Sequence, residues 1–196
     1  MSATLLLASN SPRRRKLLFE AGFEFEPFAP EVGERFNVDL TLRELTAFNA
    51  IRKAMAAARL RPKSVVIGAD TLVSIDEHVF GKPKDKGEAV AMLERLSGRA
   101  HDVCTSVFVC HLERAKSASF YEISRVYFQK LNQSKIDKYL ARVNPLDKAG
   151  AYAAQGFGSE IIEKIDGSYT NVVGLPMEKT IPTLGDFGIV PEMDET

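Results

Sequence analysis

Three arginines follow a serine and a proline near the start of the chain, in the stretch SNSPRRRK. Ser11 before Pro12 is typical of a helix whose N-cap is the serine, so residues 13–15 fall in the first helical turn. Cations beside the positive end of a helix dipole cost roughly a few tenths of a kcal/mol each unless an anion compensates. The motif is therefore either an exposed surface turn or an anion site made of N–H groups, serine hydroxyls and guanidinium groups.

Asp70 is a candidate functional acid, because it directly follows the apolar run SVVIGA at residues 64–69. We expect it at or near the end of a buried strand, where open α/β sheets expose functional groups. The alternative is a turn aspartate that caps backbone N–H groups. Glu34, in the loop sequence PEVGERF, is either a second acid of the same site or a solvated loop residue.

Two lysines could add positive charge to such a site. Lys53 lies in a predicted helix, and Lys82 lies between Gly81 and Pro83, where the backbone is restrained. A restrained lysine can place its ammonium against a phosphate, although a solvent-facing lysine has the same pattern. Two acids, two lysines and an arginine-rich helix start suit a magnesium polyphosphate, because Mg²⁺ takes one or two carboxylates, several waters and phosphate oxygens.

Several common nucleotide and hydrolase motifs are absent from the sequence. Gly81-Lys82 is followed by proline and lacks the earlier glycine of a P-loop, and no G-x-G-x-x-G follows a predicted strand. There is no G-x-S-x-G nucleophile elbow and no organised set of RNA-stacking aromatic residues. The histidines and cysteines have no metal-ligand spacing. A kinase, a nicotinamide enzyme, a serine hydrolase and a zinc site are therefore disfavoured.

The composition is that of a globular protein without net charge. Of 196 residues, 45% are hydrophobic and 27% are charged, with 26 basic and 26 acidic residues. This balance gives no overall field for nucleic acid or an anionic membrane, and no apolar stretch reaches the roughly 18 residues of a membrane span. Cys104 and Cys110 lie on one predicted strand, too far apart for a disulfide. With no secretory signal at the start, we expect a cytoplasmic protein that binds neither nucleic acid nor membranes.

Strand and helix patterns are intermixed along the chain and predict an α/β fold, with a mixed, twisted β-sheet flanked by helices. We expect one domain over residues 1–196, with a frayed tail from about residue 188. Strands are predicted near residues 5–8, 23–28, 64–70, 79–80, 101–112 and 117–130, and as two short strands joined at 166–168. Helices are predicted to begin near residues 12, 41, 85, 134 and 176.

The second predicted helix begins with a capping box that joins Thr41 and Glu44. Its expected buried face is a stripe at helical spacing, formed by Leu45, Phe48, Ile51, Met55 and Ala58. Lys53 lies off the centre of this stripe, so its side chain is able to point sideways.

Six ordered blocks of sequence are similar to those of one protein family, and the similarity runs from about Leu5 to Thr180. The blocks are LASNSPRRRKLL, GADTLV, FGKPKD, AVAMLERLSGRAHDVCTSV, DKAGAYAAQGFG and IDGSYTNVVGLPM. In this order and spacing, the chain resembles the Maf family of nucleotide pyrophosphatases. The resemblance implies an elongated, two-lobed α/β fold of the Maf and ITPase type, in an enzyme that is a cytoplasmic homodimer.

The resemblance also implies an activity and a set of residues. Such enzymes use Mg²⁺ or Mn²⁺ to cleave nucleoside triphosphates between the α- and β-phosphates, releasing a monophosphate and pyrophosphate. By similarity, the residues expected to bind the triphosphate are Ser9, Ser11, Arg13 and Arg14. The expected catalytic residues are Lys53, Lys82 and Asp70, the last as general base on the attacking water, and the expected metal ligands are Glu34 and Asp70.

Gln155 follows the block DKAGAY and, by similarity, indicates a branch that acts on dTTP, UTP and related pyrimidine nucleotides in a house-cleaning role. Its amide offers a donor and an acceptor, which suits the edge of uracil or thymine. Two alternatives stay open at this point. One is a pyrophosphatase for modified purine triphosphates such as 7-methyl-GTP, and the other is a nucleotide-binding regulator of cell division without catalytic activity.

Overall fold

The computed structural model describes residues 3–33, 35, 39–76 and 78–192. Within these residues the strands are β1 (Leu5–Leu7), β2 (Glu26–Pro27), β3 (Val65–Ile75), β4 (His78–Phe80), β5 (Ala100–His111), β6 (Lys116–Phe128) and β7 (Ile162–Asp166). The α-helices are α1 (Pro12–Glu20), α2 (Leu42–Leu60), α3 (Lys86–Leu96), α4 (Gln133–Leu140), α5 (Tyr169–Val173) and α6 (Met177–Asp186). Two short 3-10 turns span Ala149–Ala151 and Gly156–Glu160.

The described strands form a mixed sheet in the order β2-β1-β3-β5-β6-β7, with β4 paired to β3. Strand β1 is parallel to both β2 and β3, whereas β4 is antiparallel to β3 and β7 is antiparallel to β6. The predicted α/β fold with a mixed sheet and flanking helices is therefore confirmed. Among the described helices, none combines the length and the apolar character that a membrane span requires.

Three helices begin where local capping signals predict. Ser11 is the N-cap of α1 and Pro12 is its first residue. Thr41 and Glu44 form the reciprocal bonds of a capping box at the start of α2, and the Asp85 side chain caps α3. The side-chain caps of α2 and α3 satisfy backbone N–H groups that a helix leaves without intrahelical partners. At α1 the Ser11 side chain makes no capping bond, and the proline at the first position favours the start of the helix.

The chain divides into two compact units. The first comprises Met1–Asp70, Thr105–Tyr121 and Gly174–Thr196, and the second comprises Thr71–Cys104 and Glu122–Val173. One hydrophobic cluster of the first unit consists mostly of small side chains and joins α2 to β1, β3 and β5. Its buried members include Leu6, Ala8, Ala54, Ala57, Ala58, Val66 and Cys110.

The second unit has a core of larger side chains. Its buried members include Val73, Phe80, Met92, Leu93, Leu96, Val126, Phe128, Ile136, Tyr139 and Tyr152. His101 lies against this core, with its Nε2 atom 2.8 Å from the Tyr152 hydroxyl and its ring edge-on to Phe128. Burial lowers the pKa of His101 to about 4, so this histidine is a neutral core residue at neutral pH.

Strand β3 and helix α2 approach each other closely at Gly68. A Cβ atom at this position would lie 2.6 Å from the Ala50 carbonyl oxygen and 2.8 Å from the Ala54 nitrogen and Cβ atoms. The buried face of α2 accordingly consists mainly of small and polar residues: Leu45, Thr46, Asn49, Ala50, Ala54, Ala57 and Ala58. The predicted apolar stripe is wrong at Phe48 and Ile51, which are exposed, because large side chains do not fit beneath so close a strand.

Strand β3 is longer than predicted, and Asp70 lies inside it rather than at its end. The strand continues to Ile75 because its second half forms a hairpin with β4, in which Val73 is opposite Phe80 and Ile75 is opposite His78. The expectation that a strand end presents the carboxylate is therefore wrong. What positions Asp70 is the helix beside the strand.

The segment after β7 is helix α5 and not the second short strand that the sequence predicts. The Asn171 N–H donates to the Ser168 hydroxyl, which caps the helix start. The Asn171 side chain is buried and donates to the Val103 carbonyl oxygen and to Ser124 Oγ. These partners are distant in sequence, so the local pattern does not contain them.

Candidate active site

Asp70 and Lys53 form a largely buried ion pair in the first unit. Lys53 Nζ lies 2.6 Å from Asp70 Oδ1, and the two side chains are 15% and 5% exposed. Asn49 Nδ2 donates to the other carboxylate oxygen, Oδ2, at 3.2 Å. Each oxygen of the carboxylate therefore has its own donor, and together the two donors fix the plane of the group.

The pair follows from the geometry of β3 and α2. Gly68 and Asp70 are two residues apart on a strand and so face the same side, against which α2 packs. Asn49 and Lys53 are four residues apart on a helix and so lie on one face. Lys53 reaches Asp70 because the small residues of α2 allow that face of the helix to pack closely against the strand.

Ser9 and Arg14 form a second polar cluster in the first unit. Ser9 Oγ accepts hydrogen bonds from the Ser11 N–H at 3.2 Å and from Arg14 Nη1 at 3.0 Å. Because β1 runs parallel to β3, the chain leaves β1 toward Ser9 at the same end of the sheet at which β3 reaches Asp70. The fold thus brings the two clusters to one end of β1.

The positive charge at the start of α1 is not balanced by an acidic residue in the first turn of this helix, and the Ser11 side chain makes no capping bond there. The two arginines Arg13 and Arg14 differ in how far they are buried. Arg14 is 8% exposed, and its Nε donates to the Gly174 carbonyl oxygen at 2.7 Å. Arg13 is half-buried. Arg14 is therefore oriented by the protein itself, while Arg13 is the more accessible of the two.

Lys82 and Gln155 lie in the second unit. The Gly81 carbonyl oxygen accepts a hydrogen bond from the Gly150 N–H at 3.0 Å. This bond ties the backbone before Lys82 to the 3-10 turn Ala149–Ala151. The Lys82 side chain is exposed and that of Gln155 is half-buried, so both are accessible to a ligand of the second unit.

Glu34, the second expected metal ligand, lies outside the described residues. In the part of the chain that the structure describes, no group of three or more His, Cys, Asp or Glu side chains could hold a metal ion. Asp70 supplies a carboxylate, which is the oxygen donor that Mg²⁺ prefers. A cation held here would need further oxygen ligands, from substrate phosphates and water.

The chain matches the family model described as Maf-like protein over residues 4–187. This chain belongs to the Maf-like protein family. The match extends through both compact units, and it confirms the resemblance that the six sequence blocks indicate.

Curated relatives of this Maf-like protein are named dTTP/UTP pyrophosphatase. The protein of Bacillus pumilus (strain SAFR-032) is 49% identical over 187 residues, which are 95% of this chain and 98% of the relative. The protein of Bacillus cytotoxicus is 41% identical over 182 residues, 93% of this chain and 94% of the relative. A Bacillus anthracis protein is 40% identical over 185 residues, 94% of this chain and 96% of the relative.

Asn49 is not among the site residues that the sequence of this Maf-like protein predicts. It is 1% exposed, and its side chain bonds both Asp70 and the backbone of Arg35. The sequence does contain a signal for it. Asparagine is a poor helix former, and this one is a polar residue on an alanine-rich helix face, one turn before Lys53, where it adds nothing to apolar packing. The stripe of large apolar residues predicts a different buried face of α2, so Asn49 is not selected from the sequence.

For this Maf-like protein, Arg14→Lys is expected to lower the free energy of unfolding by about 1.5 to 3 kcal/mol, because a buried charged group loses hydrogen bonds. An ammonium cannot reproduce the planar group that donates to both Gly174 and Ser9. Urea denaturation measures the loss. Arg13→Lys is the matched control and should change stability by less than about 1 kcal/mol; equal losses in both variants would contradict the structural role of Arg14.

Proposed function

We propose that this Maf-like protein hydrolyses nucleoside triphosphates to the monophosphate and pyrophosphate, with dTTP and UTP as the preferred substrates. The observation that carries the proposal is the Lys53–Asp70 pair, in which an ammonium and the Asn49 amide orient a largely buried carboxylate. Relatives up to 49% identical that are named dTTP/UTP pyrophosphatase support the same substrates.

Asp70 is the proposed general base. Its carboxylate accepts a proton from the attacking water, whose oxygen bonds to one phosphorus of the α–β anhydride while the bond from that phosphorus to the bridging oxygen breaks. The bridging oxygen keeps the electron pair, and the proton passes from Asp70 to solvent after the products leave. A carboxylate held in one orientation by two donors suits this step, because proton transfer depends on a fixed distance and angle.

The phosphate charge is proposed to be balanced by lysines and by the start of α1. The Lys53 ammonium has three N–H donors. One donor bonds Asp70 Oδ1, and the same ammonium is proposed to bond a phosphate oxygen as well. Lys82 is proposed to contribute a second ammonium. The proposed triphosphate-binding residues are Ser9, Ser11, Arg13 and Arg14, and the lack of an acidic residue in the first turn of α1 supports anion binding there.

We further propose Mg²⁺ or Mn²⁺ as the cofactor, with Asp70 and Glu34 as protein ligands. A carboxylate that is mostly shielded from water fits a hard cation, and such ions are commonly held by one or two carboxylates, with waters and substrate phosphates as the other ligands. When bound, the ion would neutralise charge on the phosphate oxygens.

We also propose that the protein acts in the cytoplasm as a homodimer, without nucleic acid or membrane partners. Cys104 and Cys110 are thiols rather than a disulfide, which supports a reducing compartment. The equal numbers of basic and acidic residues, 26 each, give no overall field toward polyanions. The molar mass measured by light scattering tests the dimer.

Pyrophosphate release from a panel of nucleotides tests the function. The protein is incubated with dTTP, UTP, CTP, 7-methyl-GTP or ITP in the presence of Mg²⁺, and pyrophosphate and monophosphate are measured. The highest kcat/KM is expected for dTTP and UTP. Faster release from 7-methyl-GTP or ITP would favour the purine alternative, and binding of dTTP without release would favour the regulator.

Gln155→Ala is expected to lower kcat/KM for dTTP and UTP by about tenfold, since roughly one hydrogen bond to the base is lost, and to affect CTP less than about threefold. Uracil and thymine offer an acceptor beside an N–H donor, which a glutamine amide can match. Gln129→Ala is the matched control, because Gln129 is a half-buried glutamine of the same unit whose amide bonds the Ser159 carbonyl oxygen. An equal loss on all five nucleotides would contradict base recognition by Gln155.

A further inference from the structure

The side chain of Asn49 is buried on α2 and bonds two separate parts of the first unit. It is 1% exposed. Its Oδ1 atom accepts from the Arg35 N–H at 3.0 Å, and its Nδ2 atom donates to the Arg35 carbonyl oxygen at 3.1 Å and to Asp70 Oδ2 at 3.2 Å. Both amide hydrogens and the amide oxygen are used. The orientation of the amide is therefore determined, because the reversed orientation would set its oxygen against two acceptors.

Arg52, on the same helix, holds the chain on the other side of position 34. Its Nη1 atom donates to the Gly33 carbonyl oxygen at 2.8 Å. The backbones of Gly33 and Arg35 are thus both bonded to side chains of α2. Because α2 also carries Lys53, one helix sets the positions of the loop backbone, the ammonium and the Asp70 carboxylate.

We propose that Asn49 is a positioning residue, which aligns the Asp70 carboxylate with the loop that contains Gly33 and Arg35. The inference rests on the proposed function, in which Asp70 accepts a proton from water. Lys53 bonds Oδ1 and Asn49 bonds Oδ2, so loss of the Asn49 donor removes one of the hydrogen bonds that fix the plane of the carboxylate. Asn49 therefore acts on the reaction through Asp70 and through the loop, and it need not touch the nucleotide.

A merely structural role for Asn49 predicts a different result. A residue that only fills the space under the strand would affect stability and leave the chemical step unchanged in the folded enzyme. A positioning residue lowers kcat in the folded enzyme and leaves KM nearly unchanged, because the geometry of the base changes while the phosphate contacts do not.

The test compares three variants of the whole chain. Asn49→Leu removes all three hydrogen bonds at similar volume. Asn49→Asp keeps an acceptor for the Arg35 N–H but removes the donor to Asp70 and sets a second carboxylate against it. Thr46→Val is the matched control, one turn earlier on the buried face of α2, where the Thr46 hydroxyl lies 2.7 Å from Ser106 Oγ. The measurements are kcat and KM for dTTP, the melting temperature, and hydrogen exchange of the Arg35 amide.

Asn49→Leu is expected to lower kcat by about tenfold with KM within about threefold, and Asn49→Asp to lower kcat further, while Thr46→Val keeps kcat within about twofold. Wild-type kcat in Asn49→Leu, or an equal loss in Thr46→Val, would overturn the proposal. If Asn49→Leu does not fold, the kcat values of Asn49→Asp and Thr46→Val are compared instead, and equal values in these two variants would overturn the proposal.

Exchange of the Arg35 amide separates this inference from the proposed function. If the wild-type protein releases no pyrophosphate from any nucleotide, the proposed function fails, and exchange alone then tests the alignment of the loop. The Arg35 amide should exchange at least about tenfold faster in Asn49→Leu than in wild type or in Thr46→Val. Unchanged protection of this amide would overturn the role of Asn49 whatever the activity.

Discussion

Asp70→Asn is expected to lower kcat for pyrophosphate release by about 10² to 10⁴-fold, the usual contribution of a positioned general base. Asparagine keeps the shape of the side chain, but its amide does not accept a proton from water at neutral pH. The KM for dTTP should change much less than kcat, because the phosphates are proposed to bind the arginines and lysines. Steady-state kinetics with dTTP and UTP measure both quantities.

A surface aspartate provides the control for this substitution. Asp76 forms an exposed ion pair with Arg99, and exposed pairs of this kind contribute little to stability. Asp76→Asn should therefore keep kcat within about twofold of wild type. An Asp70→Asn protein that is folded by circular dichroism and retains more than about a tenth of the wild-type kcat would exclude Asp70 as the general base.

Gly68→Ala is expected to lower kcat by about 100-fold and the free energy of unfolding by about 1 to 3 kcal/mol. The added Cβ would lie 2.6 Å from the Ala50 carbonyl oxygen, so the strand and the helix must separate. Asp70 moves with the strand, whereas Asn49 and Lys53 move with the helix. The hydrogen bonds that orient the carboxylate therefore lengthen, although no group of the ion pair has been changed.

Gly185→Ala is the matched control for Gly68→Ala. Gly185 lies in α6, and a Cβ atom built there meets nothing within 4 Å. Alanine is the better helix former, so this variant should be as stable as wild type or more stable by up to about 1 kcal/mol. Urea denaturation and kinetics with dTTP compare the two variants. If Gly68→Ala behaves like Gly185→Ala, the close contact between strand and helix does not set the geometry of the site.

The elements that could be predicted are those fixed by local chemistry. The start of α1 follows from the proline at its first position, and those of α2 and α3 follow from side-chain caps within a few residues. The long strands β5 and β6 follow the predicted runs. Helix α5 could not be predicted, because the contacts that stabilise it join Asn171 to Val103 and Ser124. A pattern of neighbouring residues carries no information about such distant partners.

In the candidate site, too, the contacts between distant parts of the chain could not be predicted from the sequence. The side chains of Lys53 and Asp70 could be selected from the sequence, because charged groups beside apolar runs are unusual. Their contact could not, since it depends on how closely α2 approaches β3 at Gly68. The role of Asn49 was hidden for the same reason: its two partners, Asp70 and Arg35, lie on other parts of the chain.

The bond between Arg14 and Gly174 has a consequence for biosynthesis. Its two residues are 160 positions apart in the chain, and the unit to which they belong also includes Thr105–Tyr121. A ribosome therefore releases the segments that carry Lys53 and Asp70 well before the segment that anchors α1. Nascent chains that end before Gly174 contain both Lys53 and Asp70, but they lack the carbonyl group that orients Arg14, so Arg14 reaches its final position only after residue 174 has been synthesised.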